Sequence, residues 1–239
     1  MKKYRKLIKY FVLSLLTALV IAFYFGNNLF IYFENNEASK SIGTPAKGEL
    51  INGKRLPNSG SNFIAYSRLG TLLGRNAVHR KVKELIIASY DKISKEYPLY
   101  IYEYGETGWV GGGNFYPHKT HQNGLSVDFM VPVKNSANEP EYLPASIFNK
   151  FGYGIDFDEK GVYEDLRIDF ESMSVHINTL NELAGQFGLK ISRVIFYPKL
   201  QPFLWETKIG KEIKSKIKFS KNQSWVIHDE HYHIDFELL

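Results

Sequence analysis

The sequence predicts an α+β fold, on three observations. Short strand-like runs and helical runs are intermixed without a regular βαβ alternation. One long segment, Ala77 to Tyr97, repeats apolar residues at helical spacing. The C-terminal run, roughly His231 to Leu238, alternates as a strand does. At 239 residues, 44% hydrophobic and 15% aromatic, the chain is ample for a packed core and far from a disordered composition. It contains no cysteine. That excludes disulfides, thiolate metal sites and a cysteine nucleophile, so any zinc must be held by His and carboxylate groups.

The N-terminal segment comes first. Lys2, Lys3, Arg5, Lys6 and Lys9 supply five basic groups and no acid. Without them, basic and acidic residues balance at 25 each. The net charge of +5 therefore belongs to a targeting segment, and it gives no reason to expect nucleic-acid binding. Tyr10 to Phe25 follows as an apolar run of sixteen residues, and Leu29 to Phe33 suits a membrane interface. No small-x-small cleavage site follows the run directly. Residues 1–33 read as an uncleaved membrane anchor, with a cleaved signal peptide as the alternative. The flanking lysines keep the N-terminus cytoplasmic and put the domain outside the inner membrane. Residues 34–40 read as a polar spacer, and 41–239 as the domain.

Within the domain, Asn52-Gly53 and Pro57 to Gly60 are turn signals. In the helix expected over Ala77 to Tyr97, Val78, Val82, Leu85, Ile86, Tyr90 and Ile93 face inward, and Pro98 stops it. His79 reads as an ordinary boundary histidine near the helix start. Leu99 to Tyr104 is an expected strand. The Gly-rich loop 105–113 lacks the GK[ST] ending and the following helix of a phosphate loop, and reads as a turn where backbone approaches closely. Leu125 to Val133 is an expected strand, followed by a polar loop and a short helix over Ala145 to Phe151. Asp156 to Tyr163 reads as a hairpin. Its DxDxKG run has Arg167 where a calcium loop needs its bidentate Glu, which argues against calcium. Arg167 to Phe170 is read as a strand. Ser174 to Phe187 is read as a helix capped by Gly188, with His176 in a structural role near its start. Ile191 to Phe196 is a buried strand. Pro202 to Lys218 is read as one lysine-rich helix with a solvated face, contact with an anionic polymer or lipid head groups being the alternative.

The chemistry is concentrated in two windows. Five of the seven histidines fall in Tyr116–Asp128 (His118, His121) and Trp225–Phe236 (His228, His231, His233). On a strand, residues two apart share a face, so His231 and His233 project together. His121 leads into the strand that carries Asp128. A His, Asp, His ligand set with one histidine left over is what a catalytic divalent metal needs: three protein ligands, an open position and a neighbouring base. Structural zinc, which wants four closed ligands, is the weaker reading.

His121-Gln-Asn-Gly-Leu-Ser-Val-Asp128 together with His231-Tyr-His233 resembles the two metal motifs of the LAS metallopeptidases, zinc enzymes that act on peptidoglycan. Within that group the chain resembles the penicillin-insensitive murein endopeptidase family. Ser41-Ile-Gly43 with Lys47-Gly48, the Gly-rich run into His118-Lys-Thr-His121, Arg193-Val-Ile-Phe196 and His228-x-x-His231 extend the similarity over about 41–236. The resemblance implies a small central, mainly antiparallel sheet with flanking helices and long loops. It implies zinc held by His121, Asp128 and His233, with His231 as the catalytic histidine. His118 and His228 would line the site for substrate contact or proton handling. The implied reaction is hydrolysis of the D-alanyl to meso-diaminopimelyl cross-link between peptidoglycan stems. The family often carries an acid where this chain has Ser126, on the same strand face as Asp128, so the surroundings of the ligand differ. A D,D- or L,D-carboxypeptidase of the same metal group, and a non-catalytic peptidoglycan-binding module, are the alternatives.

Overall fold

A computed structural model describes residues 2–224 and 226–239; Trp225, at the edge of the second histidine window, lies outside the described residues. In chain order the elements are α1 (Lys2–Tyr32), β1 (Lys40–Thr44), β2 (Lys47–Ile51), β3 (Lys54–Arg55), β4 (Phe63–Ala65), α2 (Arg68–Leu72), β5 (Ala77–Val78), α3 (Arg80–Glu96), β6 (Tyr102–Tyr104), β7 (Ser126–Met130), β8 (Val133–Lys134) and β9 (Pro140–Glu141). They continue with a 3₁₀ segment (Ile147–Gly152), β10 (Val162–Tyr163), β11 (Leu166–Ile168), α4 (Phe170–Ala184), β12 (Leu189–Ile195), α5 (Gln201–Glu206), α6 (Lys208–Lys216) and β13 (His231–Leu238).

The architecture is mixed α+β, with several small sheets and flanking helices. The central sheet has five strands in the order β12-β13-β7-β6-β4. All its pairings are antiparallel except β4 with β6. A four-stranded sheet, β10-β11-β8-β9, and the two-stranded pairs β1-β2 and β3-β5 complete the strand pairing.

Strand alternation divides the central sheet into two chemically different faces. In β13, Tyr232, Ile234 and Phe236 point one way while His231, His233 and Asp235 point the other. In β7, Val127 and Phe129 separate from Ser126, Asp128 and Met130. The register locks the polar sets together, pairing His233 with Asp128 and Asp235 with Ser126. The apolar face carries the core. Tyr90 of α3 stacks on Phe63 and on His176 of α4, and His176 meets Phe129 and Tyr232 edge-on. His176 is fully buried and its Nδ1 lies 2.6 Å from Tyr232 Oη. Its role is structural, and burial pushes its pKa down to about 3.

Several boundaries differ from those read in the sequence, three of them through a local cap or pairing. Ala77–Val78 pairs with β3, and the helix starts after His79, whose Nδ1 accepts from the Lys81 N–H at 3.2 Å. Phe170 opens α4 instead of closing a strand, because the Asp169 carboxylate accepts from both the N–H and the hydroxyl of Ser172. The expected single helix over 202–218 breaks at Thr207. That residue is extended (φ −67°, ψ 155°), and its hydroxyl accepts from the Gly210 N–H to cap α6. The lysines of α6 are exposed, as a solvated face requires.

The N-terminal helix is long and apolar enough to cross a membrane. Its last turns and the residues after it fold against the domain. Asn27 is buried and hydrogen-bonded to domain residues, and Glu34 accepts from the Arg55 N–H and pairs with Lys83.

Candidate metal centre

The polar face of the central sheet forms the floor of a cleft of about 920 Å³ lined by five of the six predicted histidine and aspartate positions, His118, Asp128, His228, His231 and His233, while the sixth, His121, is buried against Asp128. Asp128, in the middle of β7, is fully buried. Its Oδ1 lies 2.8 Å from His233 Nδ1 and 3.2 Å from His121 Nε2. Its Oδ2 lies 3.7 Å from both His118 Nδ1 and His231 Nε2. The ligand atoms of His118, His121 and Asp128 all fall within 4.8 Å of one another, and this group could hold a metal ion.

The hydrogen bonds at the back of each imidazole decide which nitrogen faces inward. His121 Nδ1 points at the Thr107 carbonyl at 3.2 Å, which only a donor can satisfy. Nε2 then carries a bare lone pair. It is buried and makes no aligned hydrogen bond among the described residues, although it faces a carboxylate oxygen. Lone pair against carboxylate is repulsive without a cation between them, so these donors fit a metal. His233 is held from behind in the same way: its Nε2 lies 2.8 Å from Asp235 Oδ1, leaving Nδ1 toward Asp128.

The electrostatics follow from this crowding. Burial opposes the charge on Asp128, but the imidazoles of His121 and His231 outweigh it and hold the carboxyl well below its usual range. Burial also opposes a proton on His233, yet hydrogen bonds to Asp128 and Asp235 raise it to about 9. That proton sits where a cation would sit, so metal binding and Nδ1 protonation compete for one lone pair. His231 is pushed by burial down to about 4 and is neutral at pH 7. Its Nδ1 lies 2.8 Å from Glu230 Oε1, so Nδ1 is the donor and Nε2 is the basic nitrogen turned toward Asp128.

His118 and His228 flank this centre. His118 Nε2 bonds Glu106 Oε2 at 2.6 Å, and Glu106 also takes the Arg75 guanidinium and the Tyr66 hydroxyl. His228 lies with its ring centroid 4.5 Å from that of His231, its Nδ1 2.9 Å from the Val226 carbonyl. Both His121 (φ 67°) and His228 (φ 61°) sit in the left-handed region. Such backbone is uncommon outside glycine and costs about 1–3 kcal/mol, so it persists where the surroundings over-determine it. Ser126 donates to Asp235 Oδ1 at 2.6 Å, and Arg193 binds Asp235 Oδ2 from the cleft rim.

Several residues of the centre escape sequence reasoning. Tyr153 donates to Asp128 Oδ2 at 3.1 Å while accepting from the Glu106 N–H at 2.7 Å. Gly105 makes room for it: a Cβ there would lie 2.5 Å from Tyr153 Oη and 3.1 Å from Asp128 Cβ. Glu106 and Arg75 stand in loops with no local signature. Asp235 and Glu230 were legible in principle, the first by its two-residue step from His233 and the second by its place beside His231.

No protein-family model and no curated protein matches the chain.

Proposed function

We propose that the chain is a zinc-dependent endopeptidase of peptidoglycan, acting on the D-alanyl to meso-diaminopimelyl cross-link, with the LAS-type fold its motifs resemble. The observation that carries the reading is the convergence of His121 Nε2, Asp128 and His233 Nδ1 beside a neutral, oriented His231. His121, Asp128 and His233 would hold the ion, with His118 at its edge. Zinc bound there supplies Lewis acidity toward a carbonyl and lowers the pKa of water toward neutrality.

The chain's own residues perform the rest. His231 Nε2 takes a proton and returns it to the leaving amine, and Glu230, hydrogen-bonded to Nδ1, keeps the tautomer that allows this. As the carboxylate that accepts from Nδ1, Glu230 also offsets the imidazolium charge that forms when Nε2 takes the proton. Arg75, clamped on Glu106, and Tyr153 fix the carboxylates from behind. The family that the motifs resemble often carries an acid where this chain has Ser126. Here Asp235 supplies the carboxylate from the neighbouring strand, within hydrogen-bond reach of Ser126 and His233.

The cleft favours an endopeptidase over a carboxypeptidase. It meets a second hollow of about 480 Å³ at Thr120 and Arg193, which leaves room for chain on both sides of the reacting bond. The apolar run of α1, with basic residues in the turns before it, supports anchoring in the inner membrane with the domain outside it, where this substrate lies.

The test is digestion of purified cross-linked muropeptide dimers by full-length, zinc-loaded protein in detergent, read by mass spectrometry. Dimers should become monomers, and chelation should stop the reaction. Folded, zinc-loaded protein that leaves dimers intact refutes the reading. Release of a terminal residue from monomers, with dimers untouched, establishes the carboxypeptidase instead.

A further inference from the structure

The end of α1 is built into the domain, and the way it is built in defines a second surface of the protein. The apolar run Tyr10–Phe25 spans about 24 Å at 1.5 Å per residue, short of the roughly 30 Å hydrocarbon core. The whole run, through Phe25, must therefore lie within the bilayer or at its edge. Yet the domain meets α1 inside that run. Ala22, Gly26, Asn27 and Ile31 form the face of α1 that loses exposure.

Helix α2 makes this contact. A Cβ at Gly26 would lie 2.5 Å from Leu72 Cδ1, so the Leu72 side chain packs directly onto the bare backbone of α1. The Arg68 guanidinium rests over the Tyr24 ring at 5.3 Å. One turn later Asn27, 1% exposed, locks the helix in place. Its amide donates to the Leu56 carbonyl at 2.9 Å and to Asn58 at 3.0 Å, and its oxygen accepts from Asn76 at 3.1 Å. Arg55 stacks on Phe30 beyond it.

We infer that α2 lies in the outer interface of the bilayer, with Leu69 and Leu73 inserted toward the acyl chains, so that the domain is clamped to the membrane surface and not tethered at a distance. This rests on reading α1 as a membrane span. Leu69 and Leu73 stand four residues apart, on one helical face, and are 38% and 62% exposed. Both flank a helix segment that must itself be at acyl depth or at its edge. Arg68 beside them fits the interface: an aliphatic stem along apolar surface, with its cation against an aromatic ring at headgroup level. The partner is a phospholipid surface, and the clamp is Asn27. The site then works at a fixed height above the bilayer, on substrate close to the membrane.

The absence of cysteine makes the test direct. Leu16→Cys, Leu69→Cys, Leu73→Cys and Leu99→Cys, each in the full chain, are labelled with an environment-sensitive fluorophore and reconstituted into phosphatidylethanolamine–phosphatidylglycerol vesicles. Lipid-borne quenchers placed near the headgroups or deep in the tails report depth. Labels at 69 and 73 should shift to the blue and be quenched most by the shallow probe, the label at 16 by the deep probe, and the label at 99 by neither. Asn27→Leu should return the 69 and 73 labels to water while the 16 label stays deep. A deep 16 label with aqueous 69 and 73 labels overturns the inference and leaves the anchor standing. An aqueous 16 label overturns both. A 99 label as immersed as those at 69 and 73 overturns the assigned orientation, and labels unmoved by Asn27→Leu overturn the clamp.

Discussion

Glu103 lies in the middle of β6, a central strand of the sheet that carries the candidate metal centre, and is 4% exposed. Neither carboxylate oxygen has a hydrogen-bond partner among the described residues. Burial alone raises its pKa from 4.5 to about 8. Below the unfolded value of 4.5 the carboxyl is protonated in both states and ionisation takes nothing from stability; stability is lost as pH rises from 4.5 to the folded value near 8, and the loss is complete above it. At about 1.4 kcal/mol per pKa unit, the full loss is about 5 kcal/mol above pH 8, about 3 kcal/mol at pH 7 and below about 1 kcal/mol at pH 5. Glu103→Gln keeps the shape and cannot ionise, so it should remove the loss. For a domain of this size, 1 kcal/mol moves Tm by about 2–4 °C, so the variant should melt about 6–12 °C above the parent at pH 7 and within about 3 °C of it at pH 5. Thermal melts of both proteins in the same detergent, from pH 5 to 8.5, read this directly. An offset that does not change with pH would refute the reasoning, because it would mean that the carboxyl finds a partner or water when it ionises.

Three further outcomes follow from the centre. His231→Ala should keep bound zinc near one per chain by mass spectrometry while slowing dimer cleavage by about 10²–10⁴-fold, the usual worth of a proton-transferring group. Tyr153→Phe removes the donor to Asp128 Oδ2 without opening a cavity, and should weaken zinc binding by about 10–100-fold in competition with a chromophoric chelator. Ser126→Asp would set a second carboxylate against Asp235, now 2.6 Å from the serine hydroxyl, in a fully buried position. It should cost about 3 kcal/mol or more and appear as a drop in Tm that Asp235→Asn in the same chain reverses in part.

The readable parts of the centre are those that strand periodicity or local crowding of imidazoles expresses. His231 and His233 announce themselves by a step of two, which extended once more would have reached Asp235, and His121 with Asp128 by their place at the mouth and middle of a strand. Tyr153 and Glu106 come to Asp128 across loops whose courses no period describes, one of them through a 3₁₀ turn with Lys150 and Phe151 both at positive φ. In the fold, α3 and β13 were legible because their apolar residues repeat. The start of α4 was not, since Asp169 makes it by accepting from Ser172, a choice a strand-forming Phe170 conceals. Asn27 was the least visible of all: in the sequence it is a polar break after an apolar run, and only the fold shows it inserted between Leu56, Asn58 and Asn76.

One strand has a consequence in time. β13 fills the hydrophobic core with one face and completes the candidate metal centre with the other, and it follows every other residue of that centre in the chain. His118, His121 and Asp128 are made more than a hundred residues before His233. A shift of one position in the β13 pairing would send Tyr232 and Ile234 to the cleft and both histidines into the core. The candidate metal centre is therefore incomplete until the step that seals the core, when His233 reaches Asp128. On the function proposed above, a copy whose core has not closed would lack a complete site.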